Sequence, residues 1–445
     1  MEDTNETSRR ISQSSRSSGH DNTSSAGSES KSSGHANGMP GDTPSGDLEK
    51  QDVSDNNGGS DPEKQFEVHW DGDNDSMDPR RMSKPRKWLI ISVLAMTSVC
   101  VTCTSSIYTM TYDQITKEFH CSKEVAILGL SLFVMTLGIG PMLLAPLSEF
   151  YGRRPVYIGS LALFLIWLIP SAVAKNIQTM LIARSFQGFI GSAFLSVAGG
   201  TVGDIFISSE LQLPMAVYTA SPFVGPEMGP LIGGFISQYT TWRWTQYVLL
   251  IWSGAMLVLI VLFVPETYHP VILRNKARKL RAETGNQEWK APIEKITRSI
   301  PTTIAWSCLR PFQLLIFEPM VLNLCLLSAL LLGILYLFFG AFQLVFQHNH
   351  HFQLFEVGLT FLGMLFGMIA GIMTNPFFHR NYLRLVRKRE AQGGEPGGSE
   401  PEYRLPPAIM GAILVPIGLF WFGWTSYSSV HWIVPIIGSA IFGMG

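Results

Sequence analysis

Polar and apolar positions divide the chain into two regimes. Residues 1 to about 79 are rich in Ser, Gly, Asn and Asp and carry almost no aliphatic side chains. Such a segment buries too little apolar surface to offset the entropy of ordering it, and it is read as a disordered tail. From Trp88 onward long apolar runs alternate with short polar connections. Runs of about 20 apolar residues match the hydrocarbon core of a bilayer. Ten are marked: Trp88–Ile107, Val125–Leu147, Pro155–Ala174, Ile177–Phe206, Leu213–Ile236, Tyr247–Val264, Pro319–Phe346, Val357–Phe377, Pro406–Trp424 and Trp432–Gly445. The last is only about 14 residues long and stops without a flanking charge, as expected of a span cut short. The prediction is an all-α integral membrane protein. A tail over 1–79 precedes a six-span half over 80–264, a polar, basic central loop over 265–318 and an incomplete second half over 319–445.

Charge sets the orientation. Lys and Arg concentrate before span one (Arg80, Arg81, Lys84, Arg86, Lys87), at Arg153 and Arg154, in "RNKARKLR" and in "RNYLRLVRKR". Counting all connections gives about 22 basic residues on that side against 4 on the other, which places the N-terminus in the cytoplasm. The formal net charge is -1, so no basic excess is present for nucleic acid to neutralise. Five cysteines have no disulfide spacing, and His348, His350 and His351 have no carboxylate or Cys beside them, so neither a metal site nor a cofactor is expected. No nucleophile–base arrangement or phosphate loop appears, which argues against an enzyme or an ATP-driven pump. The "KARKLRAE" stretch of the central loop fits an amphipathic surface helix.

Candidate chemistry lies in the charges that the apolar pattern does not explain. Glu149 ends span two and Asp204 ends span four, both at a negative helix end; Arg153 and Arg154 begin span three at a positive one. Each is mildly unfavourable with its own helix, by roughly 0.3–1 kcal/mol, yet the set is mutually complementary. It is read as a charge lock that gates the Arg153 side. Within the spans, an ionisable residue costs at least ~2.5–3.5 kcal/mol on insertion scales and marks a functional candidate. Arg184 and Glu227 sit roughly 10 and 14 Å deep from the same side, by rise per residue. They are the proton-coupling candidates. Gly225, Gly229 and Gly233 recur every four residues, with Pro226, Pro230 and Gly234 among them, a stripe that admits a close helix neighbour. Glu227 points about 160° away from Gly229 and off that seam.

Three motifs carry a resemblance. "PLSEFYGRRP" resembles the loop signature of the major facilitator superfamily, with Glu149 in the acidic position. "RSFQG" (Arg184, Gln187 and Gly188 among its residues) resembles that superfamily's buried-arginine motif, and "GPEMGPLIGG" the signature of its proton-driven antiporters. "VPETYHPVILRNKARKLRAETGN" and "RPFQLLIFEPMVLNL" are similar to the fungal twelve-span drug:proton antiporters. The resemblance covers residues 86 to 445 and implies a major facilitator fold of six spans plus an incomplete second half, with the final spans missing. Where related chains often carry "FFEAFP", this one has "FFGAFQ", so Gly340 replaces an acid and polyamine export is disfavoured.

The resemblance implies a multidrug-efflux antiporter of the plasma membrane. It would be a multi-pass monomer exchanging small hydrophobic or amphipathic compounds for protons. Two alternatives stand beside it: a truncated membrane protein with a regulatory or sensing role and no transport, and a nutrient uptake symporter. The antiporter-type "GPEMGPLIGG" favours export.

Overall fold

Helices begin where the sequence supplies a cap or a proline and break where glycine meets a neighbouring backbone. The structure is a computed structural model and describes residues 66–70, 75, 77–207, 210–295, 300–393 and 401–445. Residues 1–65, and with them most of the expected disordered tail, lie outside the described residues. The first half contains α1 (Lys84–Ile107), a 3-10 turn (Tyr108–Thr111), α2 (Tyr112–Phe119), α3 (Lys123–Ile139), α4 (Pro141–Tyr151), α5 (Arg153–Ala172), α6 (Ile177–Gly191), α7 (Ala193–Ile205), α8 (Gln212–Tyr239) and α9 (Arg243–Phe263). Then follow α10 (His269–Thr284) and α11 (Ile300–Phe317), and beyond them α12 (Pro319–Phe342), α13 (Leu354–Ala391), α14 (Pro406–Trp424) and α15 (Ile433–Met444). No strand is formed among the described residues. The expected all-α class is therefore observed.

Seven of these helices or helix pairs are long and apolar enough to cross a membrane, or eight if the bent α3–α4 pair is one span. The count falls short of ten because α15 has 12 residues, and because the glycines, prolines and polar groups of α8 dilute its hydropathy over 28 residues. Large apolar side chains face outward along the helices: Ile251 and Leu262 are each 68% exposed and Leu337 is 71% exposed. An apolar exterior on this scale is what lipid, and not water, requires.

α1 is the opposite case. Over its most apolar window 89% of residues are buried, and that helix is lined with Thr97, Ser98, Thr102, Thr104, Ser105 and Ser106. All of these hydroxyls but that of Ser98 satisfy themselves on the preceding turn, as Thr97 does on Val93 O (2.8 Å) and Thr104 on Cys100 O (2.9 Å). Small, self-satisfied side chains let neighbours approach closely, and α1 packs along α8 and α9.

Two breaks meet. α3 and α4 bend by 41° at Gly140, where an added Cβ would strike Ser192 Oγ and Phe189 O. Ser192 is itself the junction of α6 and α7. Gly188, one turn earlier, faces Phe133 O and the Thr136 hydroxyl of α3. The crossing of these helices is thus set by two glycines at the contact.

The second half has its own core, in which Phe338, Phe339, Phe342, Phe361, Phe422 and Phe442 pack together. It meets the first half where α8 runs beside α13. There Gly234 faces Leu354 O and Phe355, and Gly358 faces Pro230 O. Gln343, on the π-helical turn after α12, donates to Thr109 O at 3.0 Å.

The expected surface helix over "KARKLRAE" is present as part of α10. Val68 lies among Leu273, Ala277 and Ala291. Lys276 Nζ binds Asp75 at 2.9 Å, with both side chains largely buried. Part of the chain before α1 therefore packs on α10.

Candidate functional site

α5 begins at Arg153 with Gly152 as its N-cap, so no side chain of its own closes the first turn. The acceptor comes from elsewhere. Glu266, just past α9, receives Arg153 N–H at 2.9 Å and Arg154 N–H at 3.2 Å. It also receives Thr267 N–H and Tyr268 N–H, each at 3.0 Å. A carboxylate at a helix N-terminus satisfies orphan donors and complements the dipole. Gly152 has φ 100°, and a Cβ there would run into the Glu266 carboxylate. Glycine is thus required twice at this turn, by conformation and by space.

The Arg153 side chain, 11% exposed, ties three helices together. Its Nε lies 3.2 Å from Asp204 Oδ2 of α7, and Nη1 donates to Ser148 Oγ of α4 at 2.7 Å. Its guanidinium stands 4.8 Å from the Tyr268 ring centre. Burial first, and then the Glu149 carboxylate, push the Tyr268 phenol up, so the ring stays neutral against that cation. Arg154 points away and donates to Val261 O at 2.9 Å. Glu149 lies within electrostatic range of Arg153 and Asp204, but among the described residues it makes no ion pair within 4 Å. The structure thus brings Arg153 and Asp204 into contact and leaves Glu149 and Arg154 beside them.

Arg153→Ala is expected to lower transport strongly at equal membrane levels, because Asp204 then loses its cation while the apolar spans are untouched. Substrate flux normalised to surface protein checks this. Glu266→Ala leaves four backbone donors without their acceptor. Losing a cap costs about 0.5–2 kcal/mol, so a lower thermal unfolding temperature in detergent is the expected result.

The buried arginine is held without an acid. α1 ends at Ile107 and continues as a 3-10 turn, which leaves its last carbonyls available. Arg184, 0% exposed, uses them: Nη2 donates to Thr104 O at 3.0 Å and to Ser105 O at 3.2 Å, while Nε donates to Gly129 O at 3.3 Å. Its guanidinium lies 4.0 Å from the Tyr108 ring centre and 5.2 Å from that of Phe133. Carbonyl dipoles and ring faces carry the charge. Gln187, one turn on, donates to Trp167 O (2.9 Å) and Ser171 Oγ (2.7 Å), fixing α6 to α5.

Glu227 is 2% exposed, and neither of its oxygens has a hydrogen-bond partner among the described residues. No ion pair joins it to Arg184. The glycine stripe explains its direction. Added Cβ atoms would strike Thr102 from Gly225, Ser106 and Ile107 N from Gly229, and Ile107 from Gly233, all along α1. Glu227 leaves the other side of α8; Tyr336 of α12, whose hydroxyl lies 3.0 Å from Ser105 Oγ of α1, is within electrostatic range of both Glu227 and Arg184. Gly340 of α12 has open space at its Cβ.

The charge and glycine patterns of the sequence single out neither Glu266 nor Tyr336. Phe338 and Phe339 are core residues. The signal for Glu266 was the missing cap at Gly152–Arg153; that for Tyr336 was one hydroxyl in a run of Leu, Ile, Phe and Gly.

An apolar exterior, a buried unpaired acid and a buried arginine inside it, and a charge cluster at one end define a polytopic helical membrane transporter. The chain belongs to the Major Facilitator Superfamily, whose sequence profile it matches over residues 94–445. It is 55% identical over 383 residues to "Efflux pump atB" of Aspergillus terreus, covering 86% of this chain and 72% of that one. It is 42% identical to "Probable drug/proton antiporter YHK8" of Saccharomyces cerevisiae, over 82% of this chain and 70% of that one. The multidrug transporter mdrA of Aspergillus fumigatus is 38% identical, with 86% of this chain and 62% of that one aligned. Among solved structures, the xylose transporter XylE from E. coli in a partially occluded inward open conformation aligns with TM-score 0.54. That alignment has 16% identity and covers 80% of this chain and 83% of XylE. It bears on the fold alone.

Proposed function

We propose that this transporter exports small hydrophobic or amphipathic compounds across the plasma membrane in exchange for protons. The Arg153 end faces the cytoplasm, and the protein works as a monomer. The observation that carries the reading is Glu227, a buried carboxyl with both oxygens unpartnered. An isolated ionised carboxylate in such a site is costly, so the group is held as the neutral acid in this conformation. A conformation that opens the site to water, or brings Arg184 nearer, favours release of that proton. The relatives named as efflux pumps and as a drug/proton antiporter support the direction and the coupling ion. The basic excess at the Arg153 side supports the orientation. Gly340 supports a preference for uncharged or weakly charged substrates over polycations.

The charge cluster at the other end of the cycle fits this reading. Arg153, Asp204, Ser148 and Glu266 hold α4, α5, α7 and the segment after α9 as one block. Export then alternates between opening the Arg153 end and opening the α8–α13 seam at Gly234 and Gly358. Reconstitution into liposomes with an imposed pH gradient tests the proposal. Uphill movement of a hydrophobic dye, with counterflow of protons, is expected. Dye movement that ignores the gradient would overturn proton coupling.

A further inference from the structure

α8 meets α13, and α1 meets α12, toward one end of the molecule. α1 and α8 both start on the Arg153 side, so Thr109 and Gly234 lie toward the opposite end. There Gly234 faces the first turn of α13 and Gly358 faces Pro230 O, a seam at which two backbones touch. Two polar ties stand beside it. The Tyr336 hydroxyl of α12 lies 3.0 Å from Ser105 Oγ of α1. Ser105 Oγ gives its one proton to Thr102 O at 2.6 Å, so Tyr336 is the donor. Gln343 Nε2, on the π-helical turn that follows α12, donates to Thr109 O at 3.0 Å. Tyr336 and Gln343 are seven positions apart, and Ser105 and Thr109 are four apart, so each pair shares one helix face.

The end of α1 is the fixed side of this contact. Arg184 of α6 binds Thr104 O and Ser105 O at 3.0 and 3.2 Å from within the first half. Just beyond the 3-10 turn, Gln114 of α2 donates to Ser237 O (2.7 Å) and Thr240 O (3.1 Å) at the end of α8. Both ties therefore join the second half to a segment that the first half itself holds in place.

We propose that Tyr336 and Gln343 are positioning residues for transport: they latch the second half to the end of α1, and releasing both donors opens the end opposite Arg153. Release strands no donor on α1, since Ser105 keeps its bond to Thr102 O and Thr109 presents only a carbonyl. Neutral bonds of this kind exchange with water at small net cost, so the latch can open in every cycle. The inference rests on alternate opening of the two ends, and it is independent of the coupling ion.

The test needs neither substrate nor a proton gradient. Lys175 after α5 and Ser428 after α14 are exposed at the end opposite Arg153, one in each half. Spin labels are placed at Lys175→Cys and Ser428→Cys in a Cys121→Ser, Cys308→Ser, Cys325→Ser background, which leaves the buried Cys100 and Cys103 in place. The labelled 445-residue chain is studied in lipid nanodiscs, where electron double resonance reads the ratio of long to short separations. Losing one neutral hydrogen bond corresponds to about a fivefold change in such a ratio. Tyr336→Phe and Gln343→Leu are each expected to raise it by about that factor. Gln343→Lys restores a donor of similar reach and is expected to return the ratio toward that of the parent. Thr97→Val removes a buried bond that stays within α1 and is expected to leave the ratio unchanged. A ratio that Tyr336→Phe or Gln343→Leu leaves unmoved, that Gln343→Lys does not restore, or that Thr97→Val raises as much, overturns the latch. Loss of proton coupling in liposomes, with these shifts intact, overturns the antiport reading and leaves the latch standing.

Discussion

Replacing Glu227 by Gln is expected to abolish export driven by an inward proton gradient. The amide occupies nearly the same volume and can donate and accept hydrogen bonds, but it neither binds nor releases a proton near neutral pH. Because Glu227 has no hydrogen-bond partner to lose, the substitution removes a charge state and leaves the packing of α8 intact. Flux down a substrate gradient is expected to persist, and its rate to lose its dependence on pH. The measurement is dye accumulation in proteoliposomes against the dye's own gradient, compared with downhill exchange in the same vesicles. Uphill accumulation that survives with an unaltered pH profile would place the proton path elsewhere. Arg184→Lys is a companion test. The Arg184 guanidinium reaches backbone oxygens of α1 and α3 at once, and a lysine ammonium cannot reproduce that fork.

Gly229→Leu is expected to cost the protein its folded state in the membrane. A Cβ at this position would meet Ser106 Oγ and the backbone nitrogen of Ile107. A hydroxyl can rotate, but a helix backbone cannot yield without moving α1 as a whole. Overpacking in a rigid interior costs about 1–3 kcal/mol, and backbone contact puts this case at the upper end. The expected result is a fall in the unfolding temperature in detergent and in the yield of monodisperse protein. Gly159→Leu is the internal control. It also lies within an apolar helix, but nothing stands within 4 Å of its Cβ position. Equal behaviour of the two variants would show that the α1–α8 contact does not limit stability.

The glycine stripe separates what a sequence can say from what it cannot. Spacing of four marked Gly225, Gly229 and Gly233 as one face because helical geometry alone places them there. The identity of the partner was open. α1 takes that face because its Thr102 and Ser106 satisfy their own hydroxyls and present little bulk. Gly234 and Pro230, one residue off the stripe, pack instead on α13. The same ten-residue stretch thus serves a contact inside the first half and a contact between halves.

Arg184 and Glu227 were legible as costly residues at similar depth, since burial of charge in lipid needs a reason wherever the chain folds. Their separation in this conformation was not legible. Depth fixes one coordinate, and the other two depend on how α6 and α8 rotate in the bundle. The charged turn behaved likewise. Its residue types announced complementary charges, yet Arg153 took Asp204 and Ser148, while Glu149 kept only an electrostatic relation to them.

By itself, then, the amino-acid order determined the properties that follow from local composition: helices in an apolar medium, the side toward which basic residues gather, and the positions where charge or glycine is out of place. Hydrophobic transfer and helix geometry act residue by residue, and they leave a readable pattern. Only the tertiary structure decided which distant groups meet. Glu266 caps a helix more than a hundred positions earlier in the chain, and Tyr336 reaches Ser105 across the two halves. Those contacts depend on the packing angles of several helices at once, and no single stretch of the chain encodes them.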